Sequence, residues 1–236
     1  MFRSVVVVLF VVLIFPVSGN AGTLQVNTSI KPPFSTMDET GFIDQLLKEL
    51  GKRLDQHIHL VRLPPERALI VINEGKSDME LPRIAGLEKK YPNLIMVPEK
   101  ILDYHFVAFS RSKTRYDSWD DLKGMRVGYI IGWKIFEKNV PPEADVTKLR
   151  QPIQLMEMLE QGRIDVALYE RAAGQHIIRE KGFTTIETFC TPLADRPMYL
   201  YMHNKHEDIV PVVASHLRSM KEDGTYSRIF SSPFEQ

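Results

Sequence analysis

Glu74-Gly75-Lys76-Ser77-Asp78-Met79-Glu80-Leu81 and Gln161-Gly162-Arg163-Ile164-Asp165-Val166-Ala167-Leu168 repeat one pattern at two places in the chain. Each octet follows an apolar helical run. In each, the glycine supplies a left-handed helix cap and the basic residue sits near the negative helix end. A strand then begins just after the aspartate. Self-similarity of this kind implies two α/β units of similar architecture within one chain.

Working outward, apolar strands alternate with amphipathic helices almost throughout, which predicts an α/β fold with mainly parallel sheet. Thr23 to Ser29 reads as the first strand. From Gly41 to Asp55, Ile43, Leu46, Leu47, Leu50 and Leu54 recur at helical spacing, with Asp44, Lys48, Lys52 and Arg53 largely on the other face. His57 to Leu63 alternates as a strand, Arg67 to Asn73 forms a helix and Met79 starts another strand. Further on, Trp119-Asp120-Asp121-Leu122-Lys123-Gly124 leads into an apolar strand from Arg126 to Ile131. Gly132 closes that strand before a helix from Trp133 to Lys138. A glycine at a strand-to-helix turn lets an anion approach the first helical N–H groups, so Gly132 and Trp133 are candidate binding positions.

The chain has 236 residues, 44% of them apolar and 25% charged, which is ordinary globular usage. Thirty Lys and Arg balance thirty Asp and Glu, so the basic excess that neutralising nucleic-acid phosphates requires is missing. At the start, Arg3 precedes an apolar run from Val5 to Val17, followed by Ser18, Gly19, Asn20, Ala21 and Gly22. That is the order of a secretory leader. Its roughly 13 apolar residues are fewer than the roughly 20 a membrane-spanning helix needs. Cleavage is therefore expected after residue 21, giving a soluble exported protein. Cys190 is the single cysteine, so no intramolecular disulfide is possible, and free cysteine commonly behaves as a small buried hydrophobe. His57 and His59 lack a third ligand at motif spacing. No cofactor motif is present, and GxSxG, HExxH and phosphate-loop patterns are missing too.

Five segments, in order, resemble bacterial extracellular solute-binding proteins of family 3. They are Ile30-Lys31-Pro32-Pro33-Phe34 with Gly41-Phe42-Ile43-Asp44; Pro65-Glu66-Arg67-Ala68-Leu69 with Glu74-Gly75-Lys76-Ser77-Asp78; Asp121 to Gly128; Gly162 to Glu170; and Leu217 to Phe230. The resemblance implies a periplasmic-binding-protein-like fold with two α/β lobes joined by two crossover segments that form a hinge. Residues 22–108 plus 200–236 would form lobe one and 109–199 lobe two, with ligand held in the cleft between them. Closure of such a hinge buries a ligand from both sides.

Arg83 and Glu170 each stand five residues after the aspartate of their unit, placing opposite charges at corresponding strand ends. By the resemblance, the acidic residue at the Glu170 position holds an α-ammonium, and an arginine of lobe one holds the α-carboxylate. Here the family's Thr-x-x-Arg is replaced by Arg83 with Lys89 and Lys90 nearby, and its small hydroxyl residue by Trp133 and Lys134. Phe34, Arg67, Arg83, Gly132, Trp133 and Glu170 are the expected ligand contacts. The implied function is a non-catalytic, monomeric periplasmic receptor that takes a small polar, amino-acid-like solute to a membrane transporter or sensor. Cyclohexadienyl dehydratase resembles these receptors too, and an enzyme of that kind would use Glu170 as general acid.

Overall fold

The two aspartates of the repeated octets make the same bonds in the folded chain. Asp78 takes the Gln25 backbone N–H on one carboxylate oxygen at 2.7 Å and donates its own N–H to the Gln25 carbonyl. Asp165 does the same with Arg126, at 3.0 Å. Gly75 and Gly162, at φ +73° and +69°, adopt the left-handed conformation that lets each helix end before its strand. The duplication expected from sequence is thus a duplication of hydrogen bonding.

The computed structural model describes residues 22–29, 31–188 and 191–231. The expected leader and Cys190 lie outside the described residues. Strand β1 (Thr23–Thr28) is followed by helix α1 (Phe42–Leu54), β2 (His57–Arg62), α2 (Pro65–Asn73), β3 (Met79–Ile84), β4 (Leu94–Met96) and β5 (Leu102–Ser110). Then come β6 (Arg126–Ile130), α3 (Lys134–Asn139), β7 (Asp145–Leu149), α4 (Pro152–Glu160), β8 (Val166–Glu170), α5 (Arg171–Lys181) and β9 (Glu187–Thr188). The chain finishes with β10 (Ala194–His203), α6 (Val210–Glu222) and α7 (Thr225–Ser231).

The strand order β2-β1-β3-β10-β5-β8-β6-β7 joins two parallel trios, β2-β1-β3 and β8-β6-β7, through an antiparallel pair. That pair is β5 with β10, matched from Leu102↔Met198 to Phe106↔Ala194. At Phe106 β5 changes partner and runs antiparallel to β8 as far as Ser110. The sheet is therefore mixed, with its antiparallel part confined to the strands that connect the two trios. This is the two-part, helix-flanked α/β architecture expected from sequence.

Helix α1 buries Ile43, Leu46, Leu47 and Leu50, each worth about 1.5–3 kcal/mol on leaving water. Asp44 departs from the sequence reading, because it is buried rather than part of the polar face. Its carboxylate accepts from Ser35 Oγ at 2.7 Å and the Thr36 N–H at 2.8 Å, and pairs with Arg62 at 3.1 Å. These bonds hold the tight loop in which Phe34 and Ser35 donate back to the Lys31 carbonyl. A helical periodicity cannot foresee this, since the group that neutralises Asp44 lies on another strand.

Candidate functional site

Residues from β1, β3, β5 and the β6–α3 turn converge on one cavity. Its polar lining includes Thr28, Ser29, Lys31, Glu80, Arg83, Tyr104 and Lys134, and its apolar wall includes Phe106, Trp133 and Met198. Strand β3 supplies Glu80 and Arg83, and the loop pinned by Asp44 supplies Lys31.

Lys31 is the most unusual of these groups. Its residue is 8% exposed, and its ammonium donates to the Tyr104 hydroxyl at 3.0 Å. The ammonium also lies 4.6 Å from the Tyr104 ring centre and 4.7 Å from that of Trp133. Aromatic faces attract a cation, yet no ion pair joins Lys31 to a carboxylate among the described residues. Burial pulls its pKa down to about 7; the nearby Glu170 carboxylate opposes that shift and the Arg83 guanidinium adds to it. Burial likewise lifts the Tyr104 and Tyr169 hydroxyls well above their usual range.

Arg83 is already engaged. Its Nε donates to Glu80 Oε1 at 2.6 Å, and its Nη2 reaches both that oxygen and the Pro65 carbonyl. Among the described residues Glu80 Oε2 is left buried without a hydrogen bond, as is Thr28 Oγ1. Burial raises the Glu80 pKa against the opposing pull of Arg83. Polar atoms withdrawn from water without a partner cost about 1–3 kcal/mol each, so their occurrence together on one cavity marks a place where a partner is expected.

Glu170 ends β8 and caps α5, accepting the Ala173 N–H at 2.8 Å. Burial raises its pKa, opposed by those first-turn N–H groups and by Lys31. Lys134 pairs with Glu66 of α2 and with Glu137 at 2.9 Å; burial works against its charge, but the two carboxylates outweigh burial and raise its pKa. Gly132, at φ +87°, lies so close to α2 that a Cβ there would sit 2.5 Å from the Glu66 nitrogen. Only glycine suits that approach.

No protein-family model matches the chain. An uncharacterized protein of Shewanella oneidensis is 26% identical over 191 residues, which cover 77% of this chain and 70% of that protein. Among solved structures, an ancestral arginine-binding protein bound to arginine superposes with a TM-score of 0.78 at 22% identity, over 90% of this chain and 98% of its own. The chain has the periplasmic-binding-protein fold. An amino-acid ABC transporter substrate-binding protein from Streptococcus pneumoniae, bound to L-arginine, gives 0.77 at 16% identity over 91% and 95% of the two chains. A histidine kinase sensor domain with similarity to periplasmic binding proteins gives 0.75 at 14% identity, over 91% and 96%.

Within this binding-protein fold the six residues singled out from sequence fall into three groups. Arg83, Gly132 and Trp133 line the cavity. Phe34 and Glu170 stand behind it: the Phe34 ring packs 4.9 Å from that of Tyr104, and the Glu170 carboxyl is turned to α5. Arg67 is exposed on α2 and lines no cavity described here. At the turn expected to admit an anion, the Gly132 N–H donates to Glu137 of the following helix α3 at 3.1 Å. Thr28, Lys31, Glu80 and Tyr104 were not singled out as contacts. One signal was present in the repeat itself, where Glu80 occupies the position that Ala167 holds in the second copy. A carboxylate within an otherwise apolar strand is rarely left without a purpose or a partner.

Proposed function

We propose that this protein is a non-enzymatic periplasmic receptor that captures a small polar, amino-acid-like solute between two lobes and presents it to a membrane transporter. The observation that carries this reading is the cavity itself. Its lining is drawn from both sides of the β5/β10 crossing, with Glu80 and Arg83 from one parallel trio and Trp133 and Lys134 from beside the other. In this reading lobe one is 22–108 plus 200–236, lobe two is 109–199, and the hinge lies in the paired segments around Leu102–Phe106 and Ala194–Met198. Export follows removal of residues 1–21, and the mature receptor works as a monomer. Solved structures of like fold include an ancestral arginine-binding protein bound to arginine and one bound to glutamine, which supports an amino-acid-like solute.

Two observations bear on the alternatives. Glu170, the general acid a dehydratase would need, spends its carboxylate on the first turn of α5 and is not among the residues lining the cavity. Likeness to a histidine kinase sensor domain supports a second reading, in which closure is reported to a signalling partner rather than a transporter. Mass spectrometry of small molecules released on denaturing freshly purified protein, followed by thermal shift with each, tests the receptor reading. A hundredfold excess over Kd adds about 2.7 kcal/mol, or roughly 5–10 °C for a chain of this length. A screen of amino acids, amines, small peptides and organic acids that moves nothing overturns it. Identifying the membrane protein that co-purifies with the liganded form separates transporter from sensor.

A further inference from the structure

We infer that Lys31, and not Arg83 or Glu170, is the charged group that reads the ligand, and that it reads a carboxylate whose molecule also carries a hydrogen-bond donor for Glu80 Oε2 and Thr28 Oγ1. The inference rests on the receptor reading and names the chemistry of its solute.

Three observations lead there. First, the charges expected to grip a zwitterion are engaged within the protein: Arg83 through Nε and Nη2 with Glu80 and the Pro65 carbonyl, Glu170 with the N–H of Ala173. Second, Lys31 is a buried ammonium whose one hydrogen bond among the described residues goes to Tyr104, although it has three protons to donate. A carboxylate arriving in the cavity gives it the ion pair it lacks and makes a charge-assisted hydrogen bond, about twice the strength of a neutral one. Third, Glu80 Oε2 and Thr28 Oγ1 are buried, unbonded among the described residues, and belong to residues lining the same cavity. An unbonded carboxylate oxygen accepts, so a hydroxyl, amide or ammonium on the ligand meets it. Inorganic anions that carry no such donor leave half of the site unanswered.

Position explains why Lys31 takes this part. The ammonium lies over Tyr104 and Trp133 and within electrostatic reach of Glu170. A ligand cation would have to compete for those aromatic faces with an ammonium already tethered there. The site therefore discriminates by repulsion against carboxylate-free cations as well as by attraction for carboxylates.

Isothermal calorimetry on the full mature chain tests this with matched sets: amino acids, the 2-hydroxy acids of the same side chain, and the amines left by decarboxylation, such as agmatine beside arginine. Wild-type protein is expected to bind members of the first two sets and to bind the amines at least thirtyfold more weakly. Lys31→Met is expected to lose at least thirtyfold for the best carboxylate, Lys31→Arg to keep a measurable part of that affinity, and Glu170→Gln to lose less than Lys31→Met. Circular dichroism and thermal melting establish that each variant is folded. If Lys31→Met is misfolded, Lys31→Gln and the wild-type selectivity carry the test. Amines that match carboxylates in wild type, or a folded Lys31 variant with unchanged carboxylate affinity, overturn the inference and leave the receptor reading standing. A Lys31→Met protein that gains affinity for agmatine and keeps that for carboxylates also overturns it, because Lys31 is then a plug in a cation site. No binding by any member overturns both readings.

Discussion

Lys134 of α3 and Glu66 of α2 form an ion pair beside the cavity, and the backbone nitrogen of the same Glu66 lies against Gly132. In the two-lobe reading this contact belongs to the closed form and must break for ligand to leave. The pair is partly buried and also leans on Tyr91, whose hydroxyl donates to Glu66 at 3.4 Å. Such pairs are worth up to about 1 kcal/mol. Lys134→Met is therefore expected to speed ligand release about two- to fivefold with little change in the association rate. Stopped-flow release showing an unchanged off-rate would place the pair outside the closing motion.

Gly132→Ala carries two penalties, a left-handed backbone and a Cβ driven into the start of α2. Together they are expected to cost about 1–3 kcal/mol, lowering Tm by roughly 2–10 °C. Differential scanning calorimetry decides it. A melting temperature equal to wild type shows that the turn and α2 separate at no cost.

Asp44→Ala takes from the Arg62 guanidinium its buried carboxylate partner and loosens the loop from Lys31 to Thr36. Removing one partner of a largely buried pair is expected to cost about 2–4 kcal/mol in urea unfolding. Because the loop carries Lys31, solute affinity should fall too, although Asp44 does not line the cavity. Loss of stability with affinity intact would separate the loop from ligand reading.

The buried ammonium also gives stability a pH dependence. In the folded chain Lys31 releases its proton near pH 7, whereas an unfolded chain keeps it to about pH 10. Between those values the unfolded state binds more protons, so folding stability attributable to Lys31 rises with pH. The groups facing it are Tyr104 from β5, Glu170 and Tyr169 from β8, Arg83 and Glu80 from β3, and Lys134 from α3. Comparing wild type with Lys31→Met isolates its share: the unfolding free energy of wild type is expected to rise relative to that of Lys31→Met from pH 7.5 to 9. A difference that stays constant with pH assigns an ordinary titration to this lysine.

The architecture was legible because its signals are local. Gly75 and Gly162 act through their own backbone, and Leu46, Leu47 and Leu50 through a helical period, so α1 and both helix-to-strand turns follow from short windows of sequence. The cavity was legible only in part because its chemistry depends on who partners whom. Arg83 reads as a ligand group until Glu80, three residues earlier on the same strand, is seen to hold it. Lys31 reads as one more surface lysine in a proline-rich loop until Tyr104 and Trp133, more than seventy residues away, close over it. Asp44 was misplaced for the same reason, its partner Arg62 being on β2.

Strand β10 lies between β3 and β5 although it is the last strand made. A chain appearing from its N-terminus thus completes β6, β7 and β8 with their helices while β3 still waits for its neighbour. The edges of β3 and β5 stay bare until residues 194–203 arrive, and bare edges recruit strands from other molecules. Closing so long a connection is also slow. Order of synthesis and order of strands therefore disagree in this fold, and the delay is longest for the sheet that carries Glu80 and Arg83. A chaperone that shields strands during synthesis has its most useful work there, before the final fifth of the chain has emerged.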